Sequence, residues 1–303
     1  MSNTNSRLSR MRGLFYISPW LIGTIFFVVY PFAATIYLSL TDYDLFNAPN
    51  FIGLTNYINI FTQARRQDAH FVESIWVTMR YSIFTVPAQL AFALFIAIIL
   101  NMKIKGINFF RTAYFIPSIL GGNIAISILW RYLFSGQGLV NQALGVFGMG
   151  PVGWLSTPGG AMFIISLLRV WQFGSAMVIF LAALKAVPEE LYDSAKVDGA
   201  SKMRTFWKIT VPMISPTIFF NLVLQLNNAM QEFNAPFMVT QGGPMRATNF
   251  TSMMIYDHAF RFFNMGYASA MSWILFIIIM IGTGIIFGTN KRWVYYADGG
   301  DGK

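Results

Sequence analysis

The sequence predicts an all-α integral membrane protein with six transmembrane helices, and three observations lead to that fold class. Charged residues make up only 11% of the 303 residues, less than half of the roughly 25% found in soluble globular proteins. The hydrophobic residues, 55% of the chain, occur in long continuous blocks, and about 20 residues of helix are enough to cross the hydrocarbon layer. The chain has no cysteine, so disulfides and thiolate metal sites are excluded.

Six apolar blocks are long enough to span a membrane. They are 13–40, 74–101, 109–134, 161–184, 212–239 and 265–288. Prolines such as Pro31, Pro87 and Pro117 lie inside them, and spanning helices tolerate these where neighbouring helices satisfy the freed backbone groups. The first block follows Arg7 and Arg10 like a signal peptide, but it is too long for a signal h-region, so we expect a retained first span.

The loop cations predict that both termini lie inside the cell. With an inside N-terminus, the inner segments hold 14 of the 21 Lys and Arg residues, whereas the outer segments hold 4. Cytoplasmic loops carry such an excess of Lys and Arg. The net charge of +9 is therefore a topology signal and does not indicate a nucleic-acid partner, which would need one basic soluble face.

We expect four regions along the chain. They are a cytoplasmic N-terminal segment (1–12), a first span with its outer loop (13–73), a permease-like core of five spans (74–289) and a cytoplasmic tail (290–303).

Catalytic and metal-binding motifs are missing from the sequence. There is no phosphate loop, no H-E-x-x-H and no G-x-S-x-G, so no catalytic or metal residue is assigned and any ATP hydrolysis must occur on another chain. His70 and His258 have no neighbouring ligand pattern, and we expect both at the surface.

A charged segment lies between the fourth and fifth blocks, at 188–212. Pro188 stands where a helix would begin. Glu189 and Glu190 follow in its first turn, at the positive end of the helix dipole. Gly199 interrupts the helix and marks a bend or a close backbone contact. These features alone leave open an ordinary amphipathic helix on the membrane surface.

The order of residues in this segment resembles the EAA signature of permease subunits of ABC importers, E-A-A-x3-G-x9-I-x-L-P. The pattern here is D-S-A-x3-G-x9-I-x-V-P, from Asp193 to Pro212, with three small substitutions and intact spacing. Four further stretches are similar to segments of the carbohydrate-uptake, maltose-type group of these permeases: FIGLTNY (51–57), FFRTAYFIP (109–117), LWRYLF (129–134) and TQGGP (240–244).

The resemblance implies a type I ABC importer permease fold with a cytoplasmic coupling helix in the EAA loop, 185–211. In that family the loop docks into a cleft on the ATPase subunit and converts nucleotide-driven closure into movement of the spans. The coupling residues carried over to this chain are Glu190, Leu191, Tyr192, Asp193, Ala195 and Gly199. We expect Leu191, Tyr192 and Ala195 to face the ATPase.

The resemblance also implies the partners and the location. These are a second homologous permease subunit, two ATPase subunits that carry ATP and Mg, an extracytoplasmic solute-binding protein, a carbohydrate substrate and membrane lipid. No cofactor is expected on this chain, and nucleic acid is not a partner. The protein would be a multi-pass component of a bacterial cytoplasmic membrane.

Polar side chains in the fifth block form a candidate substrate path. Asn221, Gln225, Asn228 and Glu232 are spaced at i, i+4, i+7 and i+11, which places them on one face of a helix. Polar residues inside a span are functional candidates by default. Amide stripes can also join neighbouring helices, and we favour substrate lining over that role.

The fourth block supplies Arg169, Trp171, Gln172 and Ser175 to the same candidate path. Trp171 could stack on a sugar ring or belong to an interfacial aromatic belt, and the sequence does not separate the two. Arg169 could pair with Glu232 or meet an anionic substrate such as a uronide or a phosphodiester.

The function predicted from these features is a permease subunit that imports a carbohydrate, an oligosaccharide of neutral or acidic sugars, by ATP-driven alternating access. One alternative is the same architecture carrying a sugar-phosphate diester. Another is a stand-alone secondary transporter, which the scarcity of acidic residues in the blocks argues against. A membrane enzyme lacks any catalytic constellation.

Overall fold

The structure is a computed structural model of the chain. It describes residues 15–62, 70–102, 105–120, 122 and 124–296. The N-terminal segment 1–12, with its three arginines, and the last residues of the tail lie outside this range.

Helices dominate the described residues, as the sequence predicts. The helices are α1 Phe15–Ser39, α2 Thr55–Thr62, α3 Phe71–Asn101, α4 Ile107–Leu120, α5 Ile124–Leu133, α6 Leu139–Val146, α7 Pro158–Trp171, α8 Gly174–Ala186, α9 Glu189–Val197, α10 Lys202–Met213, α11 Ser215–Met230, α12 Thr251–Tyr256 and α13 Met265–Thr289. The strands among the described residues are β1 (Thr41–Asp42) and β2 (Asn50–Phe51), which pair antiparallel.

Contacts divide the described chain into two compact units. The first holds residues 15–62 and 255–275, and the second holds 70–254 and 276–296.

In the first unit a buried amide organises the loop after α1. Asn56 is 2% exposed, and its Nδ2 donates to the carbonyl oxygens of Ser39 at 3.0 Å and Thr41 at 2.8 Å. The last carbonyls of a helix have no partner within that helix. Asn56 thus satisfies the end of α1 and holds α2 against it.

The first unit also contains His258, and here the sequence-based prediction is wrong. His258 is 1% exposed, with its ring 5.3 Å from Phe262 and 5.0 Å from Tyr267. His258 lies in the π-helical turn Asp257–Arg261, which points its imidazole toward an aromatic pocket. Residue spacing alone does not reveal this orientation. His70, in the second unit, is partly exposed and lies 2.9 Å from Glu73.

Gly266→Ala is expected to destabilise the first unit by roughly 1–3 kcal/mol, the usual cost of forcing extra atoms into a packed site. A Cβ at Gly266 would collide with the carbonyl oxygen of Thr41 and lie 3.1 Å from the backbone nitrogen of Tyr43. Thermal unfolding of the detergent-purified chain measures the effect. Gly284→Ala in the same helix is the matched control, because its Cβ meets nothing within 4 Å; equal unfolding temperatures for the two variants would contradict the prediction.

The second unit is built around α3, which packs against α7, α8 and α11. Its inward side carries small residues, Ala93 and Ala97, both fully buried, and Ala176 of α8 is buried as well. In a lipid bilayer no hydrophobic effect drives helices together, and small residues stabilise their association by letting the backbones approach closely. The opposite side exposes Phe84 and Phe95, at 75% and 57%, as suits contact with lipid tails.

The structure has fewer unbroken spans than the six blocks suggest. Among the described residues, three helices are long and apolar enough to cross a membrane by themselves: α1, α3 and α13 with its 3-10 extension to Arg292. The remaining three blocks each correspond to a bent pair, α4 with α5, α7 with α8, and α10 with α11. The count of six spans stays a prediction that treats each pair as one span.

Two of the breaks lie at glycine or proline residues. The axes of α7 and α8 differ by 44° at Gly174, where a Cβ would lie 2.7 Å from Ser118 Oγ and 3.0 Å from the carbonyl oxygen of Tyr114. The axes of α10 and α11 differ by 66° beside Pro212 and Pro216, and proline removes a helical hydrogen bond. The fifth block is therefore not one helix, because α11 also ends at Met230.

Candidate functional site

A polar cavity of about 440 Å³ lies within the second unit. Six helices (α3, α4, α5, α7, α8 and α11) and the turn after α11 contribute to it. Its described lining residues are Gln89, Ser118, Gly122, Ser127, Arg169, Gln172, Ser175, Gln225, Asn228, Gln231, Glu232, Phe233, Asn234 and Ala235. The described lining consists largely of amide and hydroxyl groups with one cation and one carboxylate.

The break between α7 and α8 opens onto this cavity. The carbonyl oxygen of Gln172 accepts hydrogen bonds from Gln89 Nε2 at 3.3 Å and Ser118 Oγ at 3.1 Å. The backbone nitrogen of Ser175 donates to Ser118 Oγ at 3.1 Å. Irregular backbone at membrane depth is tolerated where it is buried in protein or lines a cavity, and interrupted helices of this kind form transport sites in membrane proteins.

The Arg169–Glu232 ion pair forms the charged wall of the cavity. Arg169 Nη1 lies 3.5 Å from Glu232 Oε2, and Nη2 donates to Gln225 Oε1 at 2.9 Å. The two charged side chains are 13% and 14% exposed. Glu232 Oε1 also accepts from the backbone nitrogen of Ala235 at 3.2 Å. Of the two roles left open by the sequence, the structure shows Arg169 paired with Glu232.

The structure brings six of the eight predicted path residues to the cavity. These are Arg169, Gln172, Ser175, Gln225, Asn228 and Glu232. Glu232 reaches it from the turn beyond α11, which ends at Met230, so the predicted single helical face is wrong at its last position.

Trp171 and Asn221 are not among the described residues that line the cavity. The Trp171 ring lies 5.5 Å from that of Trp130 and packs against the core. Asn221 is fully buried, and its Nδ2 donates to the carbonyl oxygen of Thr217 at 3.1 Å. A substrate role for these two residues stays a prediction without support from their positions.

Gln89 is a lining residue that the sequence reasoning missed. It is 1% exposed, and its Oε1 meets no hydrogen-bond donor in the described part of the chain. It is an amide in the middle of an apolar span, two residues after Pro87. The rule that polar residues inside spans are functional candidates could have found it, whereas Ser118 and Ser127 carry no such signal.

The second candidate site is the charged segment that begins with α9. Glu189 and Glu190 lie in the first turn of this helix, as expected, and Pro188 is its N-cap residue. The helix ends at Val197, and Gly199, two residues beyond it, has φ +67°. The nitrogen of Gly199 donates to the carbonyl of Lys196 at 3.0 Å, and that of Ala200 donates to Ala195 at 2.9 Å. This is the Schellman arrangement, which favours glycine at the left-handed position.

The orientation expected for the helix is corrected by its burial. Ala195 is 7% exposed and packs within the chain, while Tyr192 Oη lies 3.2 Å from Thr210 Oγ1. Ala195 therefore faces the rest of this chain, contrary to expectation, whereas Leu191 is 37% exposed. The contact of Tyr192 with the ATPase stays a prediction. The burial of Ala195 follows from tertiary packing that residue spacing does not specify.

The exposed surface of this segment carries apolar and charged residues. Val197, Met203 and Trp207 are 88%, 66% and 61% exposed. Lys196 Nζ donates to Asp193 Oδ1 at 2.7 Å, and this hydrogen bond raises the pKa of the Lys196 ammonium above its ordinary value. Exposed apolar side chains beside charges are typical of an interaction surface.

Sequence comparison shows the family of the chain. A family model described as "Binding-protein-dependent transport system inner membrane component" matches residues 14–293. The probable ABC transporter permease protein YesP of Bacillus subtilis (strain 168) is 42% identical over 293 residues, which cover 96% of this chain and 94% of that protein. The probable starch degradation products transport system permease protein AmyD of Thermoanaerobacterium thermosulfurigenes is 31% identical over 280 residues, covering 91% and 93%.

Structural comparison confirms the expected type I importer fold. A chain in the crystal structure of a bacterial ABC transporter involved in the import of the acidic polysaccharide alginate superposes with a TM-score of 0.79. The two chains are 22% identical, and the match covers 96% of this chain and 99% of that one.

Among the described residues no group of three or more His, Asp or Glu side chains is placed to hold a metal ion.

The family match over residues 14–293 and the 42% identity over nearly the whole chain show that this protein belongs to the inner-membrane components of binding-protein-dependent transport systems, as an ABC transporter permease subunit that is not an enzyme.

Proposed function

We propose that this chain is a permease subunit that carries a carbohydrate, an oligosaccharide, through the polar cavity lined by Arg169, Gln225 and Glu232. The observation that carries the proposal is this cavity, because amide and carboxylate groups at the break of a spanning segment can exchange hydrogen bonds with sugar hydroxyls. The names of the AmyD relative and of the alginate importer support a carbohydrate as the substrate class.

The positive charge of Arg169 extends the proposed substrate class to acidic sugars. Its guanidinium is largely buried beside Glu232, and its Nε is buried without an acceptor in the described part of the chain. A sugar carboxylate entering the cavity would meet the accessible part of this guanidinium, and charge-assisted hydrogen bonds to arginine are among the stronger ones in proteins. A neutral sugar would use the surrounding amides instead.

The proposed cycle is alternating access driven by ATP on other chains. A solute-binding protein delivers the sugar to the outer face, and a second homologous permease subunit completes the pathway. Two ATPase subunits bind ATP and Mg, close, and move the spans through the segment that contains α9, with Asp193 and Gly199 among its coupling residues. Both termini lie on the cytoplasmic side of a bacterial membrane, which puts this segment on the ATPase side.

Reconstitution of the assembled importer tests the proposal. Proteoliposomes containing this chain with its co-purifying subunits and binding protein should accumulate a labelled oligosaccharide only with ATP inside. Calorimetry on the binding protein, run with neutral oligosaccharides, uronic-acid oligosaccharides and sugar phosphates, selects the label. Accumulation by this chain alone, driven by an ion gradient, would establish a secondary transporter instead, and a binding protein that retains only sugar phosphates would change the substrate class.

A further inference from the structure

A second cavity of about 650 Å³ lies where α3 and α8 end and α4 begins. Three of its described lining residues are cations, Lys105, Arg111 and Lys185, against the single carboxylate of Glu189. Apolar side chains, among them Leu184, line the rest of the described wall. The cavity is thus basic on one part of its wall and apolar on another.

Arg111 is held rigidly at this site. Its Nη2 donates to the carbonyl oxygen of Leu100 at 2.9 Å, and its Nη1 donates to Asn108 Oδ1 at 3.0 Å. Its Nε is buried and meets no hydrogen-bond acceptor within the described residues. Arg111 lines the cavity, so its fixed positive charge adds to that of Lys105 and Lys185 and favours an anion there.

We propose that this cavity binds a phosphate-bearing anion, supplied by the headgroup of an anionic phospholipid in the surrounding bilayer. Basic pockets between spanning helices near the membrane surface are the sites that recognise such headgroups. The apolar wall favours a lipid over a free anion, because Leu184 and Ile107 offer contact to an acyl chain. This site is separate from the sugar cavity described above and shares none of its described lining residues.

The site also touches the segment proposed for coupling. Tyr192 of α9 lines the cavity, so a bound headgroup would lie against α9 as well as the ends of α3 and α8. Lipid at this position would stabilise one placement of α9 relative to these ends. The binding proposal itself does not depend on the coupling role or on the sugar substrate.

Native mass spectrometry of the full chain, delipidated in a neutral detergent and titrated with phosphatidylglycerol, tests the proposal. We expect Lys105→Gln/Lys185→Gln to weaken phosphatidylglycerol binding by about tenfold or more, since each surface cation contributes to attraction of anionic lipid. Both lysines are exposed, so the double variant should keep its unfolding temperature. The matched control is Lys291→Gln/Arg292→Gln, which removes two cations at the end of α13 that do not line the cavity.

The remaining arms separate the possible sources of the anion. The lipid site is supported if the control variant still binds phosphatidylglycerol and if the unchanged chain and both variants bind phosphatidylcholine only weakly. Inorganic phosphate that binds with the same lysine dependence, while phosphatidylglycerol does not, supports the anion site but assigns it to a free phosphate. Equal affinity for phosphatidylcholine and phosphatidylglycerol, or an equal loss in the control variant, would overturn the proposal.

Discussion

Gly199→Asp is expected to lower substrate uptake and substrate-stimulated ATP hydrolysis of the assembled importer by roughly 5- to 150-fold. This is the factor that corresponds to a typical coupling free energy between two sites. Gly199 has φ +67°, and a Cβ there meets no atom within 4 Å. The substitution therefore adds bulk and charge on an open surface, next to the exposed Val197. If an ATPase occupies that space, an aspartate obstructs it. Uptake, ATPase activity and the amount of inserted protein are measured side by side.

The chain supplies a matched control at Gly148. This glycine has φ +74°, also has no atom within 4 Å of its Cβ position, and ends α6 with the same pair of Schellman hydrogen bonds, to Gly145 and Leu144. Gly148→Asp thus introduces the same backbone strain, about 1–2 kcal/mol, in a loop predicted to lie outside. Equal loss of uptake in both variants would mean that strain and not docking is responsible, and normal uptake in Gly199→Asp would refute the coupling assignment.

Gly199→Asn separates the contribution of charge from that of size. Asparagine tolerates the left-handed conformation better than most residues and matches aspartate in volume. Strongly reduced uptake with asparagine would indicate a tightly packed interface around Gly199, whereas near-normal uptake would indicate that the negative charge of aspartate is the obstacle. Either outcome keeps Gly199 at a docking surface, provided that Gly148→Asp is neutral.

The ends and breaks of the helices decide how much of this molecule follows from its sequence. Spanning blocks are identified by their length and apolarity, and the position of Gly199 in the segment Asp193–Pro212 follows from chain order alone. The close contact of Gly174 with Ser118 and Tyr114 does not, because those two residues belong to another helix. The local sequence around Gly174 does not specify which residues of another helix lie close to it.

The cavity shows the same limit for side chains. Helical spacing correctly grouped Gln225 with Asn228, since both lie within α11 and line the cavity. It failed for Asn221, which packs into the interior, and for Ala195, which turns inward on α9. Spacing defines which residues share a face, but the tertiary packing decides whether that face meets a cavity, a neighbouring helix or a partner.

Neutralising one member of the Arg169–Glu232 pair is expected to have the largest effect on stability. Arg169→Gln or Glu232→Gln should each lower the free energy of unfolding by about 3 kcal/mol, near the low end of the cost of leaving one charge of a buried pair uncompensated. The side chains are only 13% and 14% exposed, so water screens the remaining charge incompletely. Thermal unfolding of the purified chain and the amount of inserted protein report this loss.

The double variant Arg169→Gln/Glu232→Gln distinguishes a structural pair from one that acts on the substrate. It carries no uncompensated charge, so we expect most of the lost stability to return. The exposed pair Asp193–Lys196, 2.7 Å apart, is the control for stability, since neutralising a surface pair changes stability by only about 0–1 kcal/mol. Uptake by the restored double variant is expected to stay at least roughly tenfold low, corresponding to the loss of about 1.4 kcal/mol of favourable interaction with the sugar. Full recovery of both stability and uptake would show that the pair only joins α7 to the turn after α11, and would remove Arg169 and Glu232 from the substrate path.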